Sequence, residues 1–88
     1  MLEANFTNQF AKDVKLMQKR DRNLDDLFDI LVEIIWEEPL PERCREHELS
    51  GNYSNYTECH VKNDWLLIYR FFPGKVTFTR TGTHSDLF

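Results

Sequence analysis

The spacing of apolar residues changes once along this chain, separating a helical first half from a stranded second half. Phe10, Val14 and Met17 recur at helical spacing, with Lys12, Lys15, Lys19 and Arg20 mostly on other positions. Thr7 or Asn8 supplies an N-cap, and Phe6 and Phe10 are placed to close over the first turn. Residues 3–6, just before, read as a short edge strand. Asn23 is a second cap, and Asp25 and Asp26 suit the positive end of a helix dipole. Leu24, Leu27, Phe28, Leu31, Ile34 and Ile35 then form an apolar stripe. This helix is expected over residues 24–37, with Pro39 as its stop. Glu37 and Glu38 suit its negative end poorly. The two helices are expected to pair as an antiparallel hairpin.

Residues 39–55 read as a loop that holds His47, stiffened by Pro39 and Pro41 and turned at Ser50-Gly51-Asn52. Strands are expected at 56–61, 64–72 and 75–81, the last two joined by Pro73-Gly74. Asp64 to Phe72 is apolar on both parities and should be the central strand. The first hairpin admits two registers. A three-residue loop at Val61-Lys62-Asn63 sets His60 opposite Asp64 on one sheet face, and is favoured because Asn tolerates the left-handed conformation. A two-residue loop at Lys62-Asn63 turns His60 away. The fold class that follows is α+β, an N-terminal helical hairpin on a mostly antiparallel sheet.

At 88 residues the chain is read as a single domain, 1–88. No apolar run reaches the roughly 18 residues needed to span a bilayer, and no secretory signal is visible, so a cytoplasmic location with no membrane partner is expected. Cys44 and Cys59 form no CxxC pair and are read as reduced thiols.

The net charge of −4 argues against a nucleic-acid partner until its distribution is considered. Residues 1–22 hold five bases and three acids, 23–48 two bases and nine acids, and 49–88 four bases and three acids. The acidity therefore sits on one middle segment between mildly basic flanks. Steering depends on the local field, so RNA remains an admissible ligand, bound modestly and in a salt-sensitive way.

The second half concentrates the candidate chemistry. His47, His60 and His84 are the only histidines, and Asp64 lies four residues after His60. RNA carries its own nucleophile, the 2′-hydroxyl. Cleavage needs a base, an acid and groups that stabilise the phosphate, and needs neither metal nor cofactor. Histidine suits both proton roles because its ordinary pKa of about 6.5 lies near neutrality. Zinc is the competing chemistry, with the histidines and Asp64, Cys44 or Cys59 as ligands, but their spacing matches no common zinc signature. Trp65 reads as core before it reads as a base-stacking platform.

The strings FAKDVKLMQKR (10–20), PLPERCREHELSGNY (39–53), YTECHVKNDWLLIYR (56–70) and RTGTHSDLF (80–88) resemble the YafQ-like branch of the RelE/ParE toxin superfamily, from type II toxin–antitoxin modules. The resemblance covers nearly the whole chain. It implies a RelE-like, microbial-ribonuclease-like fold. It also implies ribosome-dependent mRNA cleavage through a cyclic phosphate, and a cognate antitoxin as partner. The family's site pattern falls on His47, His60, Asp64 with Trp65, and His84 with Phe88. The resemblance implies that His84 is the acid, Asp64 or His60 the base, and His47 a phosphate stabiliser. Phe88 would pack against a base or close the site, and Arg80 would touch phosphate. The chain departs from the pattern at Glu48, where relatives often have proline, and at Tyr53, often tryptophan. It also lacks the frequent bases at Ser54 and Thr57. These losses motivate a second reading, a weakened toxin that mainly binds its antitoxin and co-represses transcription. Gyrase poisoning, as in the ParE branch, is a third, but it has no need of the histidines.

Overall fold

Thr7 Oγ1 accepts the Phe10 N–H at 2.9 Å, and Asn23 Oδ1 accepts the Asp25 N–H at 3.0 Å, so each main helix starts at a side-chain cap. In the computed structural model, which describes all 88 residues, these helices are α1 (Asn8–Lys19) and α2 (Leu24–Ile35). Both end the same way. Asp21 and Glu37 take the left-handed conformation (φ 60 and 59), and the following N–H groups of Arg22 and Glu38 bond back to Met17 and Glu33. α2 therefore stops at Ile35, two residues earlier than the stripe implied, and Glu37 and Glu38 lie beyond the unfavourable dipole end.

The strands are β1 (Glu3–Phe6), β2 (His47–Glu48), β3 (Thr57–Lys62), β4 (Trp65–Phe72) and β5 (Lys75–Gly82). They form one sheet in the order β1-β5-β4-β3-β2, antiparallel except for the β1–β5 pair. β4 is central, as its two-sided apolar pattern requires. The region expected to be all loop holds β2, a two-residue edge strand that carries His47. A four-residue helix, α3 (His84–Leu87), closes the chain. No helix is long and apolar enough to cross a membrane.

One sheet face packs on both helices. Phe10, Met17, Leu27, Ile30, Leu31 and Ile34 meet Cys59, Val61, Trp65, Leu67, Tyr69, Val76 and Phe78. Each large side chain buried there is worth about 1.5–3 kcal/mol. Phe28 points outward and Ile30 takes its place in the core, which corrects the expected stripe. The opposite face carries a smaller cluster, Leu66, Ile68 and Leu87, bordered by Leu49, Tyr53 and Tyr56. The histidines lie on that face, which is otherwise largely polar apart from the exposed Phe72 beneath Arg70.

The β3–β4 hairpin follows neither register expected for it. Its turn is Asn63-Asp64, Lys62 pairs with Trp65, and His60 pairs with Leu66 across a slip between His60 and Lys62. Trp65, Leu67 and Tyr69 must all face the helices, and this fixes the register of β4. The bulge in β3 absorbs the extra residue, and Asp64 takes the left-handed turn position (φ 49).

Candidate active site

His84, Asp64 and His60 converge, although Asp64 does not sit opposite His60. Asp64 Oδ1 accepts the His84 backbone N–H at 3.0 Å and lies 3.3 Å from His84 Nδ1. A carboxylate only accepts, so Nδ1 carries the proton in that contact and Nε2 is left to face a substrate. The His84 backbone amide, followed by its ring, holds the Asp64 carboxyl below its ordinary range. The His60 and His84 rings lie 6.4 Å apart between centroids, and the Phe88 ring lies 6.1 Å beyond His84. Phe88 also meets Tyr53 edge-on at 5.5 Å, and Tyr53 meets Tyr56 at 5.9 Å. An aromatic wall thus flanks the histidine pair, with Phe88 itself 61% exposed.

Several contacts outside the site fix α3. Thr83 and Asp86 form a reciprocal capping box, and Arg20 at the end of α1 makes two hydrogen bonds to Asp86, at 2.7 and 3.1 Å. Arg20, then the Thr83 backbone, holds the Asp86 carboxyl far below the carboxylate range. Gly82 is required by close approach, since a Cβ there would come 3.0 Å from both Cβ and Oδ2 of Asp86.

His47 stands slightly apart. Its β2 position pairs with Glu58, two residues before His60 on the same face, which makes His47 and His60 diagonal neighbours about 7–8 Å apart along the backbone. His47 Nδ1 lies 2.7 Å from the Arg45 carbonyl, and Nε2 lies 3.5 Å from the nearly buried Glu58 carboxylate. Glu58 went unnoticed in the sequence; its signal was the alternation with His60, which sets both on one face.

Two expected substrate contacts have other partners. Trp65 is 1% exposed, and its Nε1–H donates to Thr81 Oγ1 at 2.9 Å, so it anchors the turn beside Asp64 and offers no face to a base. Arg80 binds Asp13 through Nε at 2.8 Å and through a terminal nitrogen at 3.3 Å. Asp13 also accepts the Thr81 N–H at 3.1 Å, on the stretch of β5 beyond its pairing with β1. This buried acid on the apolar side of α1 was hidden in a lysine-rich run.

Other cations border the site: Arg22, whose charge acts on Asp64, and Arg43, Arg45 and Lys62. The last three, with His60, Val61, Asn63 and Asp64, line an open groove of about 670 Å³. A second groove, about 520 Å³, lies on the His47 side and is acidic, with Glu37, Glu38, Glu46 and Glu48 in its lining. The buried Tyr69 hydroxyl donates to Glu46, which pins the segment just before His47.

The chain matches, over residues 2–88, the family described as "Bacterial toxin of type II toxin-antitoxin system, YafQ". It belongs to that family. The chain is 38% identical over 87 residues to the mRNA interferase toxin YafQ of Escherichia coli K12, a match covering 98% of this chain and 95% of the relative. The crystal structure of YafQ from E. coli BL21(DE3) superposes with a TM-score of 0.95 at 36% identity, covering 100% of this chain and 99% of that one. The toxin in the E. coli DinJ–YafQ toxin–antitoxin complex gives 0.92 at 38% identity, covering 99% and 97%. In this YafQ-family chain the α+β architecture is therefore shared with solved toxins along its whole length.

Proposed function

We propose that this toxin is an endoribonuclease that cuts mRNA on the ribosome by acid–base catalysis and is silenced by a cognate antitoxin. Relatives named mRNA interferases support the reaction class, and the DinJ–YafQ complex supports an antitoxin partner. The single observation that carries the mechanism is the pair of imidazoles 6.4 Å apart, one held by Asp64. His60 takes the 2′-hydroxyl proton as that oxygen attacks phosphorus. His84 gives its proton to the departing 5′-oxygen from Nε2, leaving a 2′,3′-cyclic phosphate and a 5′-hydroxyl. Asp64 orients His84 and stays anionic, because a carboxyl held low is a poor base. His47 stabilises the phosphate, and Phe88 stacks on a base. Arg43, Arg45 and Lys62 guide the flanking backbone. The two main helices act as a RelE-like hairpin scaffold behind the sheet, and the reaction takes place in the cytoplasm.

The test is cleavage of mRNA on programmed ribosomes. His84→Ala is expected to lower the rate by about 10²–10⁴ with an unchanged fold and unchanged antitoxin binding. Full activity in that variant would overturn the assignment. The acidic groove beside His47 favours a second reading, a toxin of weak RNA affinity that serves mainly as an antitoxin-binding co-repressor. No cleavage by the wild type, together with tight antitoxin binding, would establish it.

A further inference from the structure

α2 carries a second apolar row on its solvent side. Phe28, Val32 and Trp36 follow one another at intervals of four residues and are 43%, 52% and 58% exposed. Residues four apart lie one above another on a helix, so the three form a continuous ridge. Neither the core nor the active site uses it. Contiguous exposed apolar surface of this kind marks an interaction site, and an exposed tryptophan is a common binding hot spot.

Along α2 the ridge is bordered by one sign of charge, with the N-terminal ammonium 3.8 Å from Glu37 at its end. Residues 24–42 hold seven acids and no base, and Asp25, Asp29 and Glu37 stand exposed beside the ridge. Just past the end of α2, the same sign continues into the acidic groove at Glu37, Glu38, Glu46 and Glu48. A second copy docking by two-fold symmetry would set acid against acid. RNA is repelled for the same reason. The fitting occupant is a cationic amphipathic helix, with apolar anchors at i, i+4 and i+8 and Lys or Arg along its flank.

We propose that the ridge Phe28–Val32–Trp36 and its acidic border are the docking surface for a basic amphipathic helix of the cognate antitoxin. This inference rests on the toxin–antitoxin reading. It makes one surface do two tasks: the ridge supplies desolvation at its tryptophan, and the acidic border steers a cationic partner. The end of the docked helix reaches the acidic groove, whose lining includes His47.

The chain has two tryptophans, Trp36 exposed and Trp65 buried, so a label on tryptophan separates surface from core. Toxin made with 5-fluorotryptophan is mixed with its unlabelled antitoxin, and fluorine resonances are recorded in H₂O and D₂O. Trp36 is expected to shift and lose its solvent isotope effect on complex formation, while Trp65 keeps its position. Trp36→Ala and Val32→Lys are each expected to weaken antitoxin binding by about 30-fold, with the Trp65 resonance and mRNA cleavage by free toxin unchanged. A complex in which Trp36 stays solvated and Val32→Lys binds like wild type overturns the proposal. So does a free toxin dimer that Trp36→Ala dissociates, which assigns the ridge to a second copy. Loss of cleavage in the wild type, with Trp36 still covered by the antitoxin, removes the nuclease reading and leaves this one standing.

Discussion

Asp64 does more by its backbone than by its charge alone. The left-handed turn aims its carboxylate at two donors of His84, twenty residues away in sequence. If Asp64 acts only through His84, their effects on cleavage cannot add. Asp64→Asn is expected to lower the single-turnover rate by about 10², and the double variant with His84→Ala should match His84→Ala alone. An additive double variant would give Asp64 a separate role as base. The sequence made these residues visible as chemistry but misplaced the turn between them, because the loop was read from Asn63 and the register is set by the inward-facing Trp65. The partners of Trp65 and Arg80 were equally hidden. Thr81 and Asp13 are distant in the chain, and neither looks unusual by type.

Among the elements, α3 shows how four residues can hold the proposed general acid. Too short to be stable alone, it depends on its capping box, on Leu87 in the smaller cluster and on Arg20. Because the Asp86 carboxyl is depressed in the folded state, its contribution is complete above the ordinary carboxylate pKa of about 4 and fades as pH falls toward the lower folded value. Asp86→Asn is therefore expected to cost about 1 kcal/mol at pH 7, with the difference from wild type shrinking below pH 4 in denaturant titrations. A constant difference across pH would refute the linkage. Helices and strands were legible from periodicity and caps, including β1, both N-caps and the central place of β4. β2 was not, since two residues of edge strand leave no pattern, and α3 was not, since one turn has no period to read.

At the scale of the whole molecule, charge is divided between two grooves. Arg43, Arg45 and Lys62 line one beside His60 and Asp64; four glutamates help line the other beside His47. RNA affinity should then depend on few phosphate contacts. For a single strand, the slope of log K against log salt is expected to shrink by about 0.7 for each of Arg43→Ala and Arg45→Ala, measured by titration on a non-cleavable RNA. An unchanged slope in both variants would place the RNA elsewhere. Segment charges announced an acidic middle, and its nine acids masked the two bases inside it, Arg43 and Arg45. Only the fold brings them next to Lys62.

The neighbouring positions of β1 and β5 have a bearing on the order of folding. Glu3 to Phe6 can find their partners only in Lys75 to Phe78, and the Thr7 hydroxyl donates to the Thr79 carbonyl. That pairing closes a loop of about seventy residues, so it carries a large chain-entropy cost and belongs late in folding.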